Sequence, residues 1–85
     1  MKIFYSPKFG RQYKKLPIEI KKLAEKREQI FRKNPFHPTL KTHKLSGKLE
    51  EFWSFSIDYK YRIIFEFLPD QTVHFHSVGD HDIYD

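Results

Sequence analysis

Three side chains near the carboxyl end of this 85-residue chain are of the types that phosphodiester chemistry uses. Arg62 stands near the start of the strand-like run Tyr61-Arg62-Ile63-Ile64-Phe65-Glu66-Phe67. A second run closes in Val78-Gly79-Asp80-His81-Asp82-Ile83-Tyr84. A guanidinium, an imidazole and a phenol are thus expected on adjacent strands and the turn after them. Metal-free cleavage of RNA uses the substrate's own 2′-OH as nucleophile. The step needs a base for that proton, an acid for the departing 5′-oxygen, and positive charge for the crowded phosphorane.

Histidine suits proton transfer because its ordinary pKa is roughly 6.5. Arginine forks onto two phosphate oxygens and stays charged. The expected roles are Arg62 for the phosphorane, His81 as general acid and His43 as candidate base, with the division between acid and base left open. Tyr84 follows His81 by three residues, so a single helical turn would put both on one side. There the phenol can stack on a base or hydrogen-bond the phosphate. Lys41 and Lys44 flank His43 and are expected to hold the RNA backbone. His74 and His76 alternate onto one face of the last strand, with His76 a further candidate for RNA contact.

Each residue also has a plainer reading. Arg62 can pair with Glu66 or Asp58, and His81 can tether the terminal turn through Asp80 or Asp82. Tyr84 can anchor the C-terminus, and His43 with its lysines can be an ordinary exposed strand. A metal nuclease is a rival: His74, His76, Asp80, His81 and Asp82 include ligand types for zinc or manganese. Residues two apart on one strand plus a mixed acidic turn make no recognised closed ligand set. No metal and no cofactor is therefore expected.

The elements that must position these groups follow from periodicity. Lys2 to Tyr5 reads as a first strand. Ser6-Pro7 is a helix start, a capping hydroxyl followed by proline at the first helical position. Phe9, Tyr13 and Leu16 then give one apolar stripe. Pro17 ends that helix and opens a second, in which Ile20, Leu23, Ala24, Ile30 and Phe31 keep helical spacing up to Asn34-Pro35. Leu40 to Leu45 is expected as a short strand, and Phe52 to Ile57, Tyr61 to Phe67 and Thr72 to Val78 as three more. Their short connections imply antiparallel hairpins. The predicted fold is α+β: a two-helix hairpin on a small, mainly antiparallel twisted sheet, in the order β-α-α-β-β-β. The helices are expected to cover the Tyr61, Ile63 and Phe65 face. The face carrying Arg62, Glu66, His74 and His76 is expected to stay open or to meet a partner.

Composition sets the frame. Residues 1–85 make one domain with a modest core, helped by nine Phe, five Tyr and one Trp. Without cysteine there are no disulfides or thiolate metal sites. No apolar run approaches the roughly 20 residues of a membrane helix, so no membrane partner and a cytoplasmic location are expected. Charge is divided unevenly. Residues 1–49 hold 14 Lys and Arg against 3 acids, whereas residues 50–85 hold 2 against 8. A basic front half suits a polyanion such as RNA, although a solvated helix surface would also account for it.

In this order and at these spacings the pieces resemble the RelE/ParE superfamily of bacterial type II toxins, over nearly the whole chain. The likeness rests on Leu16-Pro17-Ile18-Glu19-Ile20 opening the helical hairpin and on Lys44-Leu45-Ser46-Gly47 leading into the Trp53 strand. It rests further on Tyr61-Arg62-Ile63-Ile64-Phe65 and the ending from Val78 to Tyr84. The resemblance implies a ribosome-dependent mRNA endonuclease, an mRNA interferase acting as a hydrolase on mRNA, held inactive by an antitoxin encoded beside it. Its RelE-, YoeB- and YafQ-like members cleave mRNA in the ribosomal A site. ParE-like members inhibit DNA gyrase and lack the catalytic residues. By the resemblance, Arg62 matches the cleaving group's arginine, His81 its basic or imidazole group after the Val-Gly pair, and Tyr84 its C-terminal aromatic. Lys41, His43 and Lys44 match its second-strand lysines or histidine. Asp80, Asp82 and Asp85 depart from RelE, which is richer in Arg and Lys there. The alternatives are a gyrase-inhibiting ParE-like toxin and a degenerate toxin that only binds its antitoxin.

Overall fold

The computed structural model describes residues 1–47 and 51–80. Strand β1 (Lys2–Tyr5) leads into helices α1 (Pro7–Lys14) and α2 (Ile18–Lys33). A short 3-10 turn (Pro38–Leu40) precedes strands β2 (His43–Lys44), β3 (Trp53–Ser56), β4 (Arg62–Leu68) and β5 (Thr72–Gly79). The sheet order is β1-β5-β4-β3-β2; β1 runs parallel to β5 and the other pairings are antiparallel. This is the expected α+β arrangement of a helical hairpin on a mainly antiparallel sheet, but the sheet has five strands, one more than the order β-α-α-β-β-β allows, the two-residue β2 being the addition.

Local chemistry explains the helix ends. The Ser6 hydroxyl oxygen accepts from the Phe9 amide at 2.9 Å, and the same hydroxyl donates to the His76 carbonyl at 2.7 Å. One side chain thus caps α1 and ties its start to β5. Pro7 fills the first helical position, where a missing N–H costs nothing. Pro17 begins α2 without a side-chain cap, but Glu19 lies in its first turn and Arg32 and Lys33 in its last, each sign matching the helix dipole.

The core lies between the helices and one sheet face. Phe31 of α2 is fully buried, with ring centroids 4.8 Å from Phe55, 4.9 Å from Phe65 and 5.6 Å from Phe75. One helical residue therefore meets three successive strands. Ile63 and Val78 are buried in the same cluster, with Tyr61 and Trp53 packed at its edge.

Two expectations need correction. Leu40 does not open a strand: it ends the 3-10 turn and is fully buried. Pro38 fixes the turn, and burial of Leu40 outweighs any strand preference, so β2 shrinks to His43–Lys44. The second correction concerns the sheet face away from the helices, which is closed at its centre. Ser54, Ile64 and Ser77 are each no more than 1% exposed. The register passes from Ile64↔Ser77 to Phe65↔Phe75, leaving His76 as the extra residue of a β-bulge. Strict alternation does not anticipate that slip.

Truncating Phe31→Ala should lower the unfolding free energy by about 3–5 kcal/mol, the usual cost of removing a buried aromatic. That is a large share of the roughly 5–15 kcal/mol a domain has. Phe31→Leu should cost clearly less. Urea denaturation followed by circular dichroism reads both, and an unchanged midpoint for Phe31→Ala would contradict the packing.

Candidate functional site

Arg62 is the first residue of β4, opposite Ser56 on β3 and Gly79 on β5. Its guanidinium curls over the β3–β4 hairpin. It donates to the Asp58 carbonyl, to the Tyr61 carbonyl at 3.1 Å and to the Tyr59 carbonyl at 2.9 Å. Carbonyls orient a guanidinium without neutralising it. The ion pairs offered by the plainer reading do not form. Glu66 instead pairs with His74 at 3.3 Å, and the Asp58 carboxylate accepts the Lys60 and Tyr61 amides at 2.9 and 2.7 Å. Among the described residues Arg62 has no ion-pair partner.

Beside this hairpin lies a hollow of about 200 Å³, lined by Arg62, Arg27, Lys41, Thr39, Ser56, Ile57, Asp58 and Tyr59. Three cations share it with one carboxylate, Asp58. Arg27 reaches it from α2, its Nε donating to the Ile57 carbonyl at 3.2 Å. Lys41 is set by its backbone: with φ 52° it adopts the left-handed conformation that closes the 3-10 turn. A non-glycine residue there carries a cost, of a kind that tends to occur at functional sites. β2 pairs only with Trp53 and Ser54, and β3 also neighbours the 3-10 turn. Two guanidiniums, an ammonium and two hydroxyls carried by the residues lining one small space are group types that can hold a tetrahedral oxyanion.

The other expected residues distribute unequally around it. His43 pairs with Ser54, whose neighbour on β4 is Ile64. His43 thus stands on the same sheet face as Arg62, two strands across and one side-chain row along. At strand spacings of about 4.8 Å and about 7 Å per two residues, that is within reach of one nucleotide. Its Nδ1 lies 3.0 Å from the carbonyl of Lys41, a residue that lines the hollow, while His43 itself is not part of the lining. Lys44 pairs with Trp53 and takes the opposite face. His76 sits at the bulge, half-buried, its Nδ1 3.2 Å from the Ser77 hydroxyl and its ring 4.9 Å from that of Phe52. His81 and Tyr84 lie outside the described residues. No group of three or more His, Asp or Glu that could hold a metal occurs among the described residues.

Arg27 is the residue that sequence reasoning passed over. It lies on a helix rich in Lys, Arg and Glu, where every polar position looks alike, and only the chain's return at Ile57 singles it out.

Several solved structures share this architecture. YafQ from Escherichia coli superposes with a TM-score of 0.80 at 18% identity, covering 98% of this chain and 96% of that one. A YoeB/ParE toxin from Agrobacterium tumefaciens gives 0.81 at 16% identity, with 95% and 99% covered. The fold is that of the RelE/YoeB/YafQ toxins. The RelBE2 toxin–antitoxin complex from Mycobacterium tuberculosis matches at 0.78 and 17% identity, over 94% of this chain and 96% of that one. No family model and no curated protein sequence matches the chain. Likeness of this kind carries the RelE-like architecture, with no helix among the described residues long and apolar enough to cross a membrane.

His76 provides a titration test. Burial lowers its pKa, as do Lys8 and His74, while Glu66 opposes them. The folded state then binds fewer protons than the unfolded chain between the lowered value and about 6.5, so stability falls as pH drops through that window. Replacing His76→Gln should flatten this part of the stability profile, and NMR titration should give a ring pKa below that of a free histidine. A value above 6.5 would contradict the burial.

Proposed function

We propose that this chain is the toxin of a type II toxin–antitoxin pair. Free of its antitoxin, it cleaves mRNA on the cytoplasmic ribosome by attack of the 2′-OH on the adjacent phosphodiester. The observation that carries this reading is the hollow at the β3–β4 hairpin. Arg62, Arg27 and Lys41 line one small space, and His43 is held against the Lys41 carbonyl on a RelE-like fold.

In this mechanism the phosphate enters the hollow and its non-bridging oxygens meet Arg62 and Arg27, whose charges stabilise the phosphorane. Lys41 holds the same or the neighbouring phosphate. His43 takes the 2′-OH proton, His81 protonates the departing 5′-oxygen, and Tyr84 stacks on a base next to the cut. The products are a 2′,3′-cyclic phosphate and a 5′-hydroxyl, which balances atoms and protons without water in the first step. His76 contacts the RNA on the bulged side of the sheet. Lys44, on the reverse face of β2, meets the backbone where the strand passes the sheet edge. The ribosome supplies alignment, which is worth several kcal/mol when the isolated site is incomplete. The partner expected in the resting cell is an antitoxin, as in the RelBE2 complex and the Staphylococcus aureus YoeB–YefM complex of the same fold.

Inducing the chain should arrest growth and give primer-extension stops within translated messages only. Arg62→Ala, His43→Ala and His81→Ala should each lower cleavage by about 10²–10⁴-fold, the range for a placed acid, base or oxyanion partner. Arg27→Ala should lower it less while leaving antitoxin binding intact. Growth arrest that persists in all four variants, or stops that appear equally in an untranslated message, would contradict the nuclease.

A further inference from the structure

A second concavity lies away from the cationic hollow, between α1 and α2. It has a volume of about 320 Å³. Its walls are the rings of Phe9 and Tyr13, stacked at 5.9 Å and 18°, and it reaches down to Ala24 and Ile63, both nearly inaccessible. Its rim is acidic, formed by Glu25 and Glu28. The Tyr5 hydroxyl donates to both Glu28 oxygens at 3.0 and 3.1 Å, fixing that carboxylate at the mouth.

Two features set this slot apart from an ordinary packing gap. The first is charge. Residues 1–49 contain only three acids among 14 cations, and two of those three acids stand on this rim. Burial with the nearby Glu25 and Glu28 raises the Tyr13 pKa, and burial with Glu28 raises that of Tyr5, consistent with a negative mouth. Arg32 lies 3.7 Å from Glu28 and offsets part of that charge, and the Lys21 ammonium sits 5.9 Å from the Tyr13 ring. Among the described residues Glu25 has no ion-pair partner.

The second feature is Gly10, on the slot wall in the middle of α1. Its φ is not positive, and a Cβ built there would meet nothing within 4 Å. Neither backbone conformation nor packing calls for glycine, which weakens a helix interior relative to alanine. What its missing side chain does is leave the slot open.

We infer that the slot receives an arginine side chain from a partner polypeptide, its aliphatic stem on Ala24 and Ile63, its guanidinium beside the Phe9 and Tyr13 rings and forked toward Glu25 and Glu28. Arginine fits all three surfaces at once: an apolar stem, a plane that lies on aromatic faces, and donors matched to carboxylates. An uncharged side chain of the same length leaves the Glu25 carboxylate without a counter-charge. The slot and the cationic hollow are separate, so this docking point stands whether or not the chain cleaves RNA.

The test uses the full chain and N-acetyl-arginine N-methylamide as probe, followed by ¹H–¹⁵N NMR. Saturable shifts at the Gly10, Tyr13 and Ala24 amides with millimolar affinity are expected, weakening as salt is raised. The Glu25→Gln/Glu28→Gln pair should weaken binding about tenfold. Gly10→Leu should raise Tm and abolish the shifts by filling the slot. Norleucine derivatized in the same way should bind at least tenfold more weakly than the arginine probe. Equal binding of the two probes, no saturable shift at the three amides, or undiminished binding to folded Gly10→Leu would each overturn the inference.

Discussion

The fold depends on how one helix is fastened to one sheet, and Phe31 is the fully buried α2 residue at the centre of that contact. Its ring reaches from α2 to Phe55, Phe65 and Phe75, so three strands take their spacing from a single contact point. An 85-residue chain has little else to draw on: no disulfide, no metal cluster among the described residues, and a core limited by size. Aromatic rings supply much area per residue and constrain one another's geometry. Holding α2 fixed on the sheet also fixes Arg27, four residues before Phe31, against the end of β3.

That placement explains how a surface of like charges holds together. Arg62, Arg27 and Lys41 would repel if they were free to move. Each is constrained by backbone instead: Arg62 by three hairpin carbonyls, Arg27 by the Ile57 carbonyl, Lys41 by its left-handed turn. Carbonyl dipoles orient the cations while their net charge remains available to an incoming anion. A carboxylate partner would have made Arg62 structurally comfortable and chemically quiet. Glu66, the acid nearest in sequence on the same strand face, is taken by His74.

Much of this architecture was legible in the chain. Ser6-Pro7 marked the start of α1, Pro17 separated the helices, and alternation in Trp53–Ile57 and Tyr61–Phe67 gave two strands of the core sheet and the face that the helices cover. The parts that were not legible have physical causes. Nothing local tells β1 to lie parallel beside β5; that pairing depends on the crossover through both helices. Leu40 has the neighbours of a strand residue, yet Pro38 and burial put it in a 3-10 turn. The bulge at His76 breaks the two-residue period, so sequence alternation mispredicts how closed the Ile64 region is. At the site, Arg62, Lys41 and His43 could be picked from type and position, but Arg27 could not, since its partner is thirty residues away.

We propose that the Arg27–Lys41–Arg62 hollow receives an RNA phosphate. The most direct measurement is ¹H–¹⁵N NMR of the arginine Nε–Hε groups during titration with a short 2′-O-methyl RNA, which binds but cannot supply the attacking hydroxyl. Saturable shifts at Arg27 and Arg62 that weaken with salt are the predicted result. Shifts confined to other arginines, with Arg27 and Arg62 unmoved at saturation, would contradict it.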